Sequence, residues 1–103
     1  MTSNYQIIYW RDIPTQIKVR SGTTRTSRTL SERFQQAIDE TAMREGLSGT
    51  DEYLAMWRIS PWFDREGSIE ELAVALILEL EEAYPQNRLA RLVAGGGHDR
   101  PPP

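Results

Sequence analysis

The side chains best suited to binding chemistry in this sequence are the arginines of its first third. Four arginines lie between residues 19 and 34, in the stretch VRSGTTRTSRTLSERF, and no acidic residue precedes Glu32 there. Planar guanidinium groups bind phosphate and carboxylate through paired hydrogen bonds, and neighbouring Ser and Thr hydroxyls can complete such a site. This stretch is therefore the first candidate for binding an anion.

Few other side chains are suited to catalysis. The 103-residue sequence contains no cysteine, and its one histidine, His98, lies in a Gly- and Pro-rich segment. A positioned imidazole base, a Ser-His-Asp triad and a Cys- or His-based metal site are therefore not expected. Adjacent acids such as Glu70 and Glu71 point about 100° apart on a helix, so they do not converge on one proton or one metal ion. We predict no catalytic residue and no metal site.

The predicted anion-binding set combines cations with the start of a helix. Its members are Lys18, Arg20, Arg25, Arg28 and Thr29. We expect residues 21–29 to form a polar loop that leads into a helix N-terminus, where free N–H groups attract anions. Three interpretations remain open: a hydrated loop whose arginines offset acids elsewhere, an anion-binding site, or contact with nucleic acid supported by the aromatic residues of the first strand.

The charge is unevenly distributed along the chain. Residues 1–50 carry seven Lys or Arg and five Asp or Glu, whereas residues 51–103 carry five and ten, for a net charge of -3. The acidic total argues against a general nucleic-acid binder, although a local basic patch can still hold an anion. With no cysteine and no run of about 18 apolar residues, we predict a cytoplasmic protein without membrane association.

The first twenty residues predict a β-hairpin. Tyr5 and Ile7 point to one side of the first strand and Gln6 and Ile8 to the other, so both of its faces are partly apolar. Residues 11–14 supply a turn, and Ile17 and Val19 occupy alternate positions of the second strand. A third strand is predicted at residues 58–62, at a sheet edge because Pro61 cannot donate to a ladder.

Cap signals mark the helices. A first helix begins near Thr29 or Ser31 and ends before Gly46, and a short second helix begins after Thr50. The strongest helix covers residues 69–84, and residues 87–94 can add a helical turn or two. We therefore predict one α+β domain over residues 1–94, with a small, largely antiparallel three-stranded sheet (the hairpin plus one later strand) and two to three helices packed on one side. Residues 95–103 are predicted to be a disordered Gly/Pro tail.

The third helix has two apolar stripes. Besides the stripe expected to face the core, Val74, Ile77 and Leu78 form a second stripe on another face. Either this helix is central and covered on both sides, or the second stripe is an interface with a partner protein or a second copy of the chain.

The sequence also resembles a known family. The blocks YWRDIP and RF..AID..AM..GL.GTD.YL..W, within residues 5–63, resemble a small bacterial domain family that carries the label "virulence factor". The family positions include Trp10, Arg11, Asp12, Arg33 and Asp51. The resemblance implies an accessory role beside enzymes of tetrahydrofolate- and corrinoid-dependent methyl transfer, with the folate or corrinoid belonging to the partner, and it implies no catalytic residue.

Three functions are consistent with these observations. The first is a non-catalytic accessory protein that docks a partner enzyme or an anionic ligand through the arginine-rich segment. The alternative is a nucleic-acid-binding regulatory protein linked to virulence, in which the same cations contact phosphates. A small enzyme using Asp51 or Asp12 with an arginine is the least favoured of the three.

Overall fold

The alternating residues of the N-terminal segment build the centre of an α+β fold, which the computed structural model describes for residues 1–99. The elements, in chain order, are β1 (Thr2–Trp10), β2 (Ile13–Ser21), β3 (Thr24–Thr29), α1 (Glu32–Arg44), α2 (Asp51–Ala55), β4 (Trp57–Ile59), β5 (Phe63–Glu66), α3 (Ile69–Ala83) and α4 (Gln86–Ala94). The predicted α+β class is confirmed. The sheet, however, has five strands rather than three.

One of the two additional strands, β3, lies where the sequence predicted a loop, and the other, β5, lies just after the predicted strand at residues 58–62. The strand order is β3-β2-β1-β4, β5 also pairs with β1, and all of these pairings are antiparallel. The predicted polar loop at residues 21–29 contains β3, which pairs with β2 from Gln16 to Ser21. The predicted strand at residues 58–62 overlaps β4 at residues 58 and 59 only, and Pro61, which has no N–H to donate, lies between β4 and β5.

The end of α1 and the start of α3 show the predicted cap contacts. Gly46 has a φ of 68°, and the Leu47 N–H donates to the Ala42 carbonyl at 2.8 Å, as in a Schellman stop after α1. At the start of α3, Ser68 and Glu71 form the predicted capping box, because each side chain accepts a hydrogen bond from the other residue's backbone N–H.

Two apolar clusters form the core. One joins the turn between β1 and β2 to α1 and α4, and Trp10 and Phe34 are its largest fully buried side chains. The other places α3 on one face of the sheet, where Leu72 and Leu76 pack with Ile17 and Val19 of β2. Residues that alternate with Ile17 and Val19 therefore point to the opposite face.

The segment after α4 contacts the turn between β1 and β2. The Gly97 carbonyl accepts the Asp12 N–H at 2.9 Å, and the Gly96 carbonyl accepts from Arg11 Nη1 at 2.6 Å. Residues 95–99 of the predicted tail thus make hydrogen bonds, and the disorder of the tail stays a prediction. Residues 100–103 lie outside the described residues.

Candidate functional site

Three of the predicted anion-binding cations share one face of the sheet. Lys18 and Arg20 point away from α3, because the residues alternating with them pack on that helix. Cross-strand pairing puts Ser27 beside Lys18 and Arg25 beside Arg20. We call this surface the open face. It consists of Gln6, Lys18, Arg20, Arg25 and Ser27, together with Trp62 from the segment between β4 and β5.

An aromatic ring lies among these cations. The Arg20 guanidinium carbon is 3.8 Å from the centroid of the Trp62 ring, which is a cation–π contact. Trp62 also lines a recess of about 390 Å³ with Lys18, Arg25 and Ser27. We did not predict Trp62 as a site residue. The available signal was its position directly after Pro61, where a strand is interrupted and an aromatic residue can reach over the sheet.

Arg28 does not belong to this group. It pairs with Ile17, whose side chain packs on α3, and its Nη2 lies 3.2 Å from Glu70 Oε2 of that helix. Arg28 is three residues from Arg25 but on the other face of β3, because side chains of a strand alternate. Thr29 pairs with Gln16 at the far end of β3. The structure thus brings Lys18, Arg20 and Arg25 together and separates Arg28 from them.

The N-terminus of α1, which we expected to attract an external anion, holds a carboxylate of the protein itself. Glu81 accepts from the Ser31 N–H at 2.7 Å and from the Ser31 hydroxyl at 2.8 Å. Burial would raise the pKa of Glu81, but these bonds and the nearby Arg33 guanidinium outweigh it and hold the pKa below its usual value. Ser31 makes no side-chain cap bond to α1; its hydroxyl donates to Glu81 and accepts from Arg33 Nη1 at 2.9 Å.

Arg33, one of the family positions, links α1 to the end of α3. Its Nη1 is 2.6 Å from Glu81 Oε1, and its Nη2 donates to the carbonyls of Glu81 and Tyr84 at 2.8 and 3.0 Å. Carbonyls in the last turn of a helix lack intrahelical partners, so a guanidinium there satisfies them. The contacts of Arg33 are therefore structural.

Two further family positions, Trp10 and Arg11, hold the turn between β1 and β2. Trp10 is fully buried, and its indole N–H donates to the Tyr53 carbonyl at 2.9 Å. Arg11 has a φ of 54°, which is uncommon for a residue other than glycine. Its N–H donates to the Met56 carbonyl at 3.0 Å, and its Nη1 is 2.6 Å from Glu45 Oε2. These contacts fix an otherwise unfavourable turn conformation.

Asp12 lines a second, polar cleft of about 470 Å³ beside this turn. Its carboxylate is 3.2 Å from Arg58 Nη2 and accepts the Asp99 N–H at 2.7 Å. Tyr9 and Tyr84 also line the cleft, and in both cases burial is the main cause of a raised phenol pKa. Both phenols are consequently protonated at neutral pH, and the Asp12 carboxylate is already paired.

Most of the remaining predicted residues, which lie on α2 and α3, are exposed to solvent. Asp51 lies exposed in the first turn of α2, where a negative charge is favourable. Val74 and Leu78 of α3 are 60% and 56% exposed, whereas Ile77 packs partly against both core clusters. Two of the three residues of the second apolar stripe thus reach the surface, and their use as an interface stays a prediction.

Within residues 1–99, no group of three or more acidic or histidine side chains is placed to hold a metal ion. In the same part of the chain, no helix combines the length and apolar character needed to cross a membrane.

One known protein family matches most of this chain. The virulence factor family matches residues 8–93. The chain belongs to the virulence factor family. The match runs from β1 into α4, beyond the segment 5–63 on which the resemblance was recognised, and the predicted membership is confirmed. No curated protein and no solved structure is significantly similar to the chain.

Proposed function

We propose that this protein is a non-catalytic accessory protein that holds an anionic ligand, or an anionic group of a partner enzyme, on its open face. The observation that carries this proposal is the grouping of Lys18, Arg20 and Arg25 on one side of the sheet. The recess at that surface has Lys18 and Arg25 in its lining and no acidic residue. Cations collected in one recess raise the local concentration of anions and bind them through charge-assisted hydrogen bonds.

The ion pairs and hydrogen bonds of two carboxylates support a non-catalytic role. Asp12 is paired with Arg58, and Glu81 is held by Ser31 and Arg33. Burial would raise the pKa of Glu81, but hydrogen bonds from Ser31 and the Arg33 guanidinium outweigh burial and hold that pKa below its usual value, which makes Glu81 a poor general base.

The partner system that we propose comes from the family resemblance and is tetrahydrofolate- and corrinoid-dependent methyl transfer. The folate or corrinoid would belong to the partner enzyme. The exposed side chains of Val74 and Leu78 on α3 offer a second contact, either to that partner or to another copy of the chain.

Affinity isolation of the tagged protein from its native host tests this role. We expect a methyl-transfer enzyme to co-purify with the wild type and with Arg28→Gln, which removes a cation from the other face. The double variant Lys18→Gln/Arg25→Gln should recover at least fivefold less of it. Equal recovery with the double variant would remove the open face from the proposal, and recovery of unrelated enzymes alone would remove methyl transfer.

A nucleic-acid-binding regulatory protein is the second candidate function, and the contact between Arg20 and Trp62 on the open face favours it. Three phosphate contacts predict that the logarithm of the binding constant for single-stranded DNA falls with the logarithm of salt concentration with a slope of roughly -2. Binding that does not change between 50 and 200 mM salt (roughly the range in which such contacts weaken) would rule this candidate out.

A further inference from the structure

We propose that the open face is a nucleotide site, in which the phosphates contact Lys18, Arg20 and Arg25 and the base lies against Trp62. This inference rests on the proposed anion-binding function and specifies the chemical class of the ligand. The two parts of a nucleotide, a flat ring and a compact polyanion, match two features that the structure places side by side.

The spacing of the cations suits a compact polyanion. Arg20 and Arg25 are directly paired across neighbouring strands, so their backbones are about 5 Å apart. Lys18 lies two residues from Arg20 on the same strand, a separation of about 7 Å. Lys18 and Arg25 line the recess, and the Arg20 guanidinium lies beside it over the Trp62 ring, so the phosphates would contact Lys18 and Arg25 in the recess and Arg20 at its edge.

The remaining residues of the recess suit the ring. Trp62 offers an aromatic surface for stacking, and Gln6 and Ser27 place an amide and a hydroxyl nearby for hydrogen bonds to a base or sugar. The recess volume of about 390 Å³ falls within the usual range of small-molecule sites, roughly 300–1,000 Å³. A mononucleotide therefore fits the dimensions as well as the chemistry.

The same geometry is less suited to a nucleic-acid strand. Proteins that bind single strands use a cationic groove with several aromatic side chains, on which successive bases stack. Among the residues lining the recess, Trp62 is the one aromatic side chain. Of the first-strand aromatic residues that the sequence suggested for such a role, Trp10 is fully buried, Tyr5 packs against the α3 cluster, and Tyr9 lines the separate cleft beside Asp12.

The test is calorimetric titration of the full chain with ATP, inorganic tripolyphosphate, adenosine and a twelve-residue oligo(dT), all without divalent cations. Because base–aromatic stacking contributes about 1–3 kcal/mol, we expect ATP to bind about tenfold more tightly than tripolyphosphate. Trp62→Leu should remove that advantage, so that ATP and tripolyphosphate bind about equally, whereas Trp62→Phe should preserve most of it. Arg25→Gln should weaken both ligands about tenfold, and the matched control Arg28→Gln should change neither by more than about twofold.

The outcomes separate this inference from the function on which it rests. If tripolyphosphate binds and ATP binds no more tightly, the nucleotide assignment is wrong and the anion-binding function stands. If no anion binds, both fail. If oligo(dT) binds more tightly than ATP, the ligand is a nucleic-acid strand and the nucleotide proposal is wrong. If Arg25→Gln and Arg28→Gln weaken binding equally, the open face is not the binding site. Circular dichroism and thermal melts of each variant confirm that the fold is retained.

Discussion

Replacing Glu81 by Gln is the most informative perturbation of the fold, because Glu81 occupies the helix N-terminus that an external anion would otherwise reach. Its carboxylate accepts three charge-assisted bonds, from the Ser31 N–H and hydroxyl and from the Arg33 guanidinium. The substitution keeps the size of the side chain and one oxygen acceptor, but it removes the negative charge.

The expected cost follows from these contacts. Hydrogen bonds to charged groups contribute roughly 1.5–3 kcal/mol each, and the Gln carbonyl retains part of that contribution. The Glu81 and Arg33 side chains are 23% and 28% exposed, so solvent screens them only in part. We therefore expect Glu81→Gln to lower the free energy of unfolding by about 2 kcal/mol, which lowers the Tm of a domain of this size by about 10 °C.

The effect has a defined pH dependence. The pKa of Glu81 in the folded protein lies below its usual value of 4.5, because hydrogen bonds and Arg33 outweigh the burial that would raise it. A lowered folded pKa contributes stability that is fully present above the unfolded pKa and is lost as the pH falls through the folded value. The difference between wild type and variant should be constant from pH 8 to 6 and shrink below about pH 4.5.

Urea unfolding followed by circular dichroism at several pH values measures this difference. Glu82→Gln is the matched control, since Glu82 is the exposed neighbour on the same helix and should change stability by less than about 0.5 kcal/mol. A Glu81→Gln protein as stable as wild type at pH 7, or a difference unchanged at pH 3, would refute our account of the α1 N-terminus.

Three further predictions concern the turn between β1 and β2 and the start of α2. Trp10→Phe removes the indole hydrogen bond to the Tyr53 carbonyl and leaves a cavity. We expect it to lower the free energy of unfolding, measured in urea, by about 2 kcal/mol. A decrease below about 0.5 kcal/mol, the level of a surface substitution, would contradict this. Gly97→Ala should lower the Tm by about 5–10 °C, because Gly97 has a φ of 82° and a Cβ there would lie 3.2 Å from Arg11 Cδ. An unchanged Tm in calorimetry would show that the segment after α4 does not hold the turn between β1 and β2. Asp51→Asn should change stability by less than about 1 kcal/mol and leave tripolyphosphate binding unaltered, and a lost affinity in the same titration would give Asp51 a role that we do not assign.

Local signals predicted the helices and the central hairpin because their causes lie close together in sequence. The capping box of Ser68 and Glu71 spans four residues, and the stop at Gly46 depends on one residue that tolerates a positive φ. The apolar alternation of Ile17 and Val19 likewise predicted the second strand, and the structure shows that these two side chains pack on α3.

β3 was missed because its residues do not alternate between apolar and polar. It is an edge strand in which most side chains are exposed, so hydrophobic periodicity is absent, and the β-branched threonines at 24, 26 and 29 were the remaining signal. The assignment of a loop then placed Arg25 and Arg28 in one site, whereas a strand puts them on opposite faces.

The carboxylate that occupies the N-terminus of α1 also could not be predicted from local sequence signals. Glu81 is 50 residues from Ser31, and only the approach of the end of α3 to the start of α1 brings the two together. The contacts of Arg33 are also long-range, because Arg33 donates to carbonyls at the end of α3, a helix that begins 36 residues later. Long-range contacts of this kind leave no periodic or motif signal in a single sequence.

The central claim is that the protein works by attachment at the open face, and chemical-shift mapping with inorganic tripolyphosphate tests it most directly. In the ¹⁵N-labelled full chain, we predict saturable shifts at the amides of Lys18, Arg25 and Ser27 and at the Trp62 indole N–H, with the amides of α1 unmoved. Shifts centred on Ser31 and Arg33, or the absence of any saturable shift, would contradict the account.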